Sequence, residues 1–410
     1  MTTAAEHSPD PGPRHVPTLD GVRAIAAYGV IATHAGFNSG KSLDDGPFAP
    51  LLARLDFGVT LFFLLSGYLL FRPFAAAAID DTPRPRLGSF WWRRALRILP
   101  AYWLVVAVTL GLFTARHVNG SDWRDYLLLT QTYDGHNVDP SLTQMWTLAV
   151  EVAFYAVLPL LAVSTRLLFR HNEQNGQLML LGAMFAGALL ANVLAHKVDG
   201  DLSPQLLWLP ANLDWFALGM LLAVASCARP ATRWVTILRQ WAAAPGTCWV
   251  IGALLFWMST LPLGGPRNLL PTTAWEWTSK HYLYGAAAFA FLLPVVLGSS
   301  RWLRRLLGNP VASWLGSISY GVYLWHLALL IAIQRAWGWK SFGGHFVGLY
   351  VLTTLAATAA AAASWYLVER PLLRRFSRPW RPGGRRSDEQ NRQRQQTHAL
   401  DTDAVGQRMA

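Results

Sequence analysis

Arg23 and His34 are two ionisable residues with ten residues between them in a mainly apolar stretch. If this stretch is helical, eleven steps of about 100° make roughly three turns, so both side chains lie on one face about 16 Å apart. A histidine near neutral pH can take a proton from a hydroxyl group, as a general base does. The spacing also fits a structural interpretation, in which Arg23 anchors the helix and His34 forms a hydrogen bond to a neighbouring helix.

Three arginines, Arg93, Arg94 and Arg97, follow the pair Trp91 and Trp92. Arg94 and Arg97 are neighbours on a helix surface because they are three positions apart. Guanidinium groups bind phosphates in a bidentate manner, and the soluble phosphates of the cytoplasm include nucleotides and coenzyme A. Arginines beside tryptophans are also typical of an anchor at a membrane surface, so both interpretations stay open.

Glu151 lies about six residues into an apolar stretch and has no basic residue near it in sequence. A carboxylate in such surroundings needs a partner or must be protonated. It is either a functional group or one half of a hydrogen bond that locks two helices together. Asp214, in a later apolar stretch, poses the same question.

Ser319, Tyr323 and His326 have the spacing of a polar stripe on one helix face. This stripe and Asp214 are candidates for the lining of a substrate pocket, although polar stripes also simply hold helices together in lipid. The last apolar stretch ends in Glu369–Pro371. We interpret this trio as a structural terminus, because a proline stops a helix.

The composition indicates which elements must position these residues. The chain has 410 residues, of which 53% are hydrophobic and only 14% charged, against about 25% in soluble domains. Too few charges are present to cover a water-soluble globule of this size. The apolar composition excludes a disordered chain, and two cysteines are too few for a disulfide scaffold. A membrane protein with several spans is the class that remains.

Ten runs of roughly 20 mainly apolar residues are long enough to cross the hydrocarbon core. They are Leu19–Phe37, Phe57–Ala76, Ala95–Ala115, Met145–Thr165, Gln177–His196, Leu206–Ser226, Gly246–Leu263, His281–Gly298, Ser313–Ile333 and His345–Val368. The sequence therefore predicts an all-α fold, a polytopic membrane helix bundle of about ten transmembrane helices, since spans in lipid must satisfy their own backbone hydrogen bonds. We expect one membrane domain, residues 17–375, between a disordered N-terminal segment, 1–16, and a disordered basic tail, 376–410.

The positive charges predict the orientation of this bundle. Most of the 35 Lys and Arg residues fall in alternate gaps between the apolar runs, which places those gaps and both termini in the cytoplasm. We therefore expect a multi-pass protein of the cell membrane. The net charge of +12 is a signature of the inner face and does not indicate a nucleic-acid partner, because it is not gathered in one patch.

Taken in order, these segments resemble the acyltransferase 3 family of integral membrane acyltransferases. Leu19–Arg23 followed by His34 resembles the opening signature of the family, and Phe62–Tyr68 resembles its second-span motif. Arg94 and Arg97 resemble its Arg-x-x-Arg motif. The match continues through Trp146–Tyr155, Ser319–His326 and Glu369–Pro371. Each motif alone is weak, but six in order on a chain with ten spans are a strong signal that covers roughly residues 17 to 375.

The resemblance implies transfer of an acyl group, often acetyl, from cytoplasmic acyl-coenzyme A to a hydroxyl of a carbohydrate, a lipid-linked glycan or a secondary metabolite. It implies that His34 is the catalytic residue, that Arg23 supports it and that Glu151 is the matching acidic residue. Arg94 and Arg97, with Arg93 beside them, would contact the phosphates of coenzyme A. We expect no metal and no permanently bound cofactor, since acyl-coenzyme A is a donor substrate. The other partners we expect are membrane lipid and the acceptor.

The chain departs from the family pattern in two ways. Related sequences often have an arginine just before the acidic residue of the sixth span, whereas this chain has Asn212 in that region. Some members also carry an esterase-like C-terminal domain outside the cytoplasm, which we do not find in these 410 residues. We therefore expect acceptors that need such a domain to be disfavoured.

Two other classes of protein compete with the enzyme. A secondary transporter of a small polar solute would also bury charges in about ten helices, but it predicts broken helices and paired symmetrical halves, and the sequence has no internal repeat of that kind. A non-catalytic scaffold would leave no reason for Arg23, His34 and Glu151 in lipid. Release of coenzyme A on addition of an acceptor distinguishes the enzyme from both.

Overall fold

The computed structural model describes residues 16–79, 84–114, 118–133, 139–169, 172–199, 204–229, 232–267 and 273–376. The regular structure in these residues is helical throughout, so the predicted all-α bundle is confirmed there. Apart from Val16 and Phe376, the two segments predicted to be disordered lie outside the described residues.

Ten helices correspond to the ten predicted spans. They are α1 (Pro17–Ser39), α2 (Gly58–Ile79), α3 (Leu87–Val108), α4 (Trp146–Leu168), α5 (Glu173–Asp199), α6 (Leu209–Cys227), α7 (Pro245–Met258), α8 (Ala274–Val296), α9 (Pro310–Ala336) and α10 (Phe346–Ser364). Each coincides with an apolar run, because a helix lets apolar side chains face lipid while its backbone groups bond to one another.

Seven helical runs among the described residues, containing α2 to α6, α9 and α10, are long and apolar enough to cross a membrane by themselves. The helices α7 and α8 meet this test only together with the short helices Arg233–Ala242 and Arg301–Leu307, to which they are bent by 88° and 109°. At 23 residues α1 has sufficient length, but it carries charged residues. The chain is a multi-pass helical membrane protein, and the number of ten spans remains a prediction.

The first helix can carry charged residues because other helices surround it. It packs against α2, α9, α10 and the short helix Arg301–Leu307. The beginning of α1 lies very close to the short helix, since a Cβ atom at Gly21 would overlap the backbone of Leu307. Arg23 and His34 are half-buried, whereas the apolar Ile25 is exposed. The polar side chains of α1 therefore face protein, as intramembrane charges generally do.

The bundle has two ends, and α1 runs between them. The lower end is the one at which α1 begins, and the upper end is the one at which it finishes. The beginning of α9 is also at the lower end, because a Cβ atom at Gly316 would overlap the backbone of Asp20. Arg23 lies two turns above the lower end, and His34 lies less than two turns below the upper end.

The seventh helix is shorter than predicted. The sequence predicted a span over Gly246–Leu263, whereas α7 ends at Met258. The guanidinium of Arg54 is the physical reason that the following loop is stable. It donates hydrogen bonds of 2.6 to 2.9 Å to the carbonyl oxygens of Ser259, Gly264 and Gly265, so these groups need no helix.

The chain does not leave its helical path at Pro371, so the predicted helix terminus at Glu369–Pro371 is wrong. A π-helical turn over Trp365–Glu369 follows α10, and a further helix runs over Arg370–Phe376. Pro371 stands in the first turn of that helix, where its missing N–H costs little. The wider π turn turns the Glu369 side chain inward, and only 2% of this residue is exposed.

Candidate active site

A cavity lies in the middle of the bundle between α1, α2, α4 and α9. Its polar wall is made by Arg23, Ser66, Glu151, Ser319 and Tyr323. The remaining lining residues are Val59, Phe62, Phe63, Leu65, Leu69, Thr147, Leu148 and Tyr320. Three features that the sequence singled out separately, Arg23, Glu151 and the stripe of Ser319 and Tyr323, thus line one space, because helices far apart in sequence meet there.

Glu151 has hydroxyl partners. Its Oε1 atom accepts short hydrogen bonds from Ser66 Oγ of α2 and from Tyr155 Oη one turn further along α4. Both residues lie within the motifs quoted above, but their types alone did not identify them as partners of Glu151. The bond from Ser66 joins α2 to α4, as the helix-locking interpretation expects, and because Glu151 also lines the cavity its functional role stays a prediction.

Arg23 is a cation in the wall of this cavity. It makes no hydrogen bond and no ion pair with the part of the chain that the structure describes. It lies close enough to Arg94 and Tyr155 to interact with both electrostatically. A guanidinium whose donors are unused can bind an oxygen atom of a molecule that enters the cavity.

His34 does not line this cavity and lies above it, against His326 of α9. The centres of the two imidazole rings are 5.1 Å apart. The ring of His326 lies 5.5 Å from the ring of Tyr323, which does line the cavity. Asp56, just before α2, is close enough to interact with His34 electrostatically. His34 is therefore separated from the cavity by about one ring.

The polar stripe of α9 both contacts other parts of the bundle and lines the cavity. Tyr323 Oη lies 2.8 Å from Thr147 Oγ1 and 3.1 Å from the carbonyl oxygen of Gln144, so it joins α9 to α4. Ser319 donates to the carbonyl oxygen of Gly316 on its own helix. Ser319 and Tyr323 also line the cavity. The packing interpretation and the pocket interpretation are thus both compatible with this stripe.

Arg97 has an internal partner. Its Nη1 atom lies 3.2 Å from Oε2 of Glu369, and its guanidinium lies over the ring of Trp365, 4.7 Å from the ring centre. The Arg-x-x-Arg motif therefore meets the Glu-Arg-Pro motif across 272 positions of sequence. The signal in the sequence that could have indicated this pair is a carboxylate at the end of an apolar run, which needs a partner if it is buried.

Arg93 and Arg94 differ from Arg97 in their exposure and in their hydrogen-bond partners. Arg93 is exposed at the lower end of the bundle. Arg94 is half-buried, and its Nε atom is buried with no hydrogen-bond partner among the described residues. Of the three arginines, Arg94 is thus the one that has an unused donor beside the cavity.

Asp214 lies in a different place from the other candidates. Its carboxylate is 2.8 Å from Nε2 of His281 in α8, and the His281 ring is stacked on Trp215 with 4.1 Å between centres. Both members of the pair are almost fully buried. Asp214 is not among the residues that line the cavity. The prediction that it lines a substrate pocket has no support from this placement.

In the described ranges no group of three His, Cys, Asp or Glu side chains could hold a metal ion. The arrangement instead offers an imidazole, a guanidinium and a carboxylate, which suit proton transfer and the stabilisation of negative charge.

The fold and this site define a class of protein, a multi-pass helical membrane protein with a mid-bundle cavity that has polar side chains in its wall. The family model for the acyltransferase domain of the acyltransferase 3 type matches residues 16–368. The chain therefore belongs to the acyltransferase 3 family, and the resemblance read from its motifs is confirmed.

Relatives with curated names include two from Staphylococcus aureus. The protein named "Putative O-acetyltransferase SACOL0978", of strain COL, is 26% identical over 394 residues, which are 90% of this chain and 59% of the relative. The protein named "O-acetyltransferase OatA", of strain NCTC 8325 / PS 47, is 24% identical over 381 residues, which are 88% of this chain and 57% of the relative. The chain spans less than two thirds of the length of these relatives.

Proposed function

We propose that this chain is a membrane O-acyltransferase that moves an acyl group, acetyl in the first instance, from cytoplasmic acyl-coenzyme A to a hydroxyl of a carbohydrate, a glycolipid or a secondary metabolite. The observation that carries the proposal is the arrangement along α1. Arg23 lies in the wall of the cavity, and His34 lies above it inside the bundle. The family and the names of the relatives support the same reaction.

In this proposal His34 is the general base. Its ring makes no hydrogen bond with the described part of the chain, so a nitrogen is available to an acceptor hydroxyl. The acceptor proton passes to His34 while the acceptor oxygen bonds to the thioester carbonyl carbon. The carbon–sulfur bond then breaks, and the thiolate of coenzyme A takes the proton from His34. The ester and free coenzyme A leave, and the histidine is unchanged.

Arg23 and Glu151 serve the acyl group in this scheme. The carbonyl oxygen becomes negatively charged as the acceptor attacks, and the unused donors of Arg23 can stabilise that charge. The Glu151 carboxylate is held in place by Ser66 and Tyr155. Its negative charge lowers the free-energy cost of placing the Arg23 guanidinium inside the membrane. Both side chains are thus assigned to the half of the cavity that receives the thioester.

The donor enters from the lower end, which we assign to the cytoplasm from the excess of Lys and Arg in the corresponding gaps. Arg94, with an unused donor beside the cavity, is the primary contact for the phosphates of coenzyme A, and the exposed Arg93 is a second. Arg97 acts through its ion pair with Glu369, which holds α3 in place. In this proposal Arg97 does not contact the phosphates, whereas the family resemblance implied that Arg94 and Arg97 both do.

The test uses the purified full-length protein in lipid vesicles with acetyl-coenzyme A and a panel of carbohydrate, glycolipid and secondary-metabolite acceptors. We expect an acceptor-dependent release of coenzyme A and an acceptor whose mass rises by one acetyl group. His34→Ala should lower kcat by about a hundredfold or more, since a general base contributes that much. Solute uptake without release of coenzyme A would instead establish a transporter and overturn the proposal.

A further inference from the structure

The second histidine beside His34 is not used in the mechanism above. His326 is fully buried, and its ring plane makes an angle of 43° with that of His34 at a centre-to-centre distance of 5.1 Å. The two residues come from α1 and α9, which pack along each other. Two imidazoles from different helices thus meet directly above the cavity.

The protonation of His326 can be deduced from its partners. Its Nδ1 atom lies 2.6 Å from the carbonyl oxygen of Tyr323. A carbonyl oxygen only accepts hydrogen bonds, so Nδ1 carries the proton and Nε2 of the neutral ring carries a lone pair. This Nε2 atom is buried and has no hydrogen-bond partner among the described residues.

A buried acceptor that has no donor is unfavourable by the free energy lost when its hydrogen bond to water is removed. The ring of His34, 5.1 Å away between centres, can supply a donor, whereas the Tyr323 hydroxyl is already engaged with Thr147 and Gln144. Rotation of the neutral His34 ring about its Cβ–Cγ bond would turn its single N–H group towards His326. Catalytic hydrogen bonds are often long until the substrate is bound.

On the basis of the proposed function, we propose that His326 is a positioning residue for His34. Its Nε2 atom accepts a hydrogen bond from one nitrogen of the His34 ring and so leaves the other nitrogen as the base for the acceptor hydroxyl. When His34 takes the acceptor proton, the hydrogen bond to neutral His326 becomes charge-assisted and therefore stronger. The proton later leaves with the thiolate, and His326 neither gains nor loses one.

Two substitutions separate this role from a purely structural one. His326→Asn keeps a donor near the position of Nδ1, which can still serve the Tyr323 carbonyl, but it removes the acceptor at Nε2. His326→Gln places an amide oxygen near the position of Nε2. A structural role predicts rescue by Asn, whereas positioning of His34 predicts rescue by Gln.

We expect His326→Asn to lower kcat by about tenfold or more, as for a lost charge-assisted hydrogen bond, and His326→Gln to stay within about threefold of the unsubstituted protein. The KM for acetyl-coenzyme A should not change in either variant, because the donor phosphates bind elsewhere. In a protein that already carries His34→Ala, His326→Asn should cause no further loss, since the two residues act as one unit.

The matched control is His196 in α5. Its Nδ1 atom lies 2.7 Å from the carbonyl oxygen of Asn192, and its Nε2 atom is also buried without a partner, as in His326. Unlike His326, it lies against no other histidine ring in the residues described by the structure. His196→Asn should therefore leave kcat unchanged.

The outcomes separate this inference from the proposed function. If the unsubstituted protein releases no coenzyme A with any acceptor, the proposed function fails and the inference fails with it. If the unsubstituted protein is active and His34→Ala is not, full kcat in His326→Asn overturns the inference alone. An equal loss in the Asn and Gln variants also overturns it, because Gln should restore the acceptor.

Discussion

The charged side chains inside this bundle differ in the partners that stabilise them. The Glu151 carboxylate is held by two hydroxyl groups, and Glu369 is paired with a guanidinium. Arg23 has neither kind of partner among the described residues, although it lies within the bundle. A charge inside the membrane is expensive, so Arg23 is a candidate for a functional position.

The two arginines of the Arg-x-x-Arg motif should differ when substituted. We expect Arg94→Ala to raise the KM for acetyl-coenzyme A by about tenfold or more, because a charge-assisted hydrogen bond to phosphate is lost. Its thermal stability should stay unchanged. Arg97→Ala should instead destabilise the protein by about 3 kcal/mol or more, because Glu369 would be buried without its counter-charge. Donor-dependent kinetics and thermal unfolding in detergent measure the two effects.

A double variant is the control for the ion pair. Arg97→Leu together with Glu369→Leu should recover most of the lost stability, since apolar replacement of a buried pair is often neutral or stabilising. An unchanged donor KM in Arg94→Ala would contradict its assignment to the phosphates. A raised donor KM in Arg97→Ala with full stability would contradict the structural role of Arg97.

At the scale of helices, close approach between α2 and α6 positions the cavity wall. A Cβ atom at Gly219 of α6 would overlap the carbonyl oxygen of Leu64, and one at Gly67 of α2 would overlap the backbone of Phe216. Small residues at such crossings let helix backbones pack closely in lipid. Ser66, which holds Glu151, precedes one of these contacts, so the position of the carboxylate depends on this crossing.

We expect Gly219→Ala to destabilise the bundle by about 1–3 kcal/mol, because the added methyl group forces the two helices apart. The matched control is Gly182→Ala on α5, where an added Cβ atom would meet nothing within 4 Å. That variant should be neutral or slightly more stable, since alanine is favoured over glycine in a helix. Equal melting temperatures for the two variants would contradict the close packing of α2 and α6.

At the scale of the whole molecule, the proposed reaction depends on which end faces the cytoplasm. A protein that lacks Cys227 and Cys248 and carries either Asp45→Cys or Arg305→Cys tests this. Asp45 is exposed beyond the upper end of α1, and Arg305 is exposed at the lower end. We expect a membrane-impermeant maleimide to label Asp45→Cys in intact cells and Arg305→Cys only after permeabilisation. The reverse pattern would contradict entry of the donor from the lower end.

The sequence by itself determined the elements. Apolar length predicted ten helices, and among the described residues a helix coincides with each predicted run, because a helix in lipid depends mainly on its own residues and its own hydrogen bonds. Arg23 and His34 were assigned to one helix for the same local reason. The errors have different origins, since the loop after α7 is held by Arg54, a residue far away in sequence, whereas the helix beyond Pro371 follows a local π turn.

Only the tertiary structure decided which side chains meet. Glu151 and Ser66, Arg97 and Glu369, and His34 and His326 each lie on different helices, and no periodicity within one helix indicates its neighbour. Helix order in the bundle follows from the fit of small residues such as Gly219 against another backbone and from polar partners in an apolar medium. These packing and hydrogen-bond energies exist only when the helices are in contact. The sequence could therefore identify the reactive groups, but only the fold could show which of them are paired.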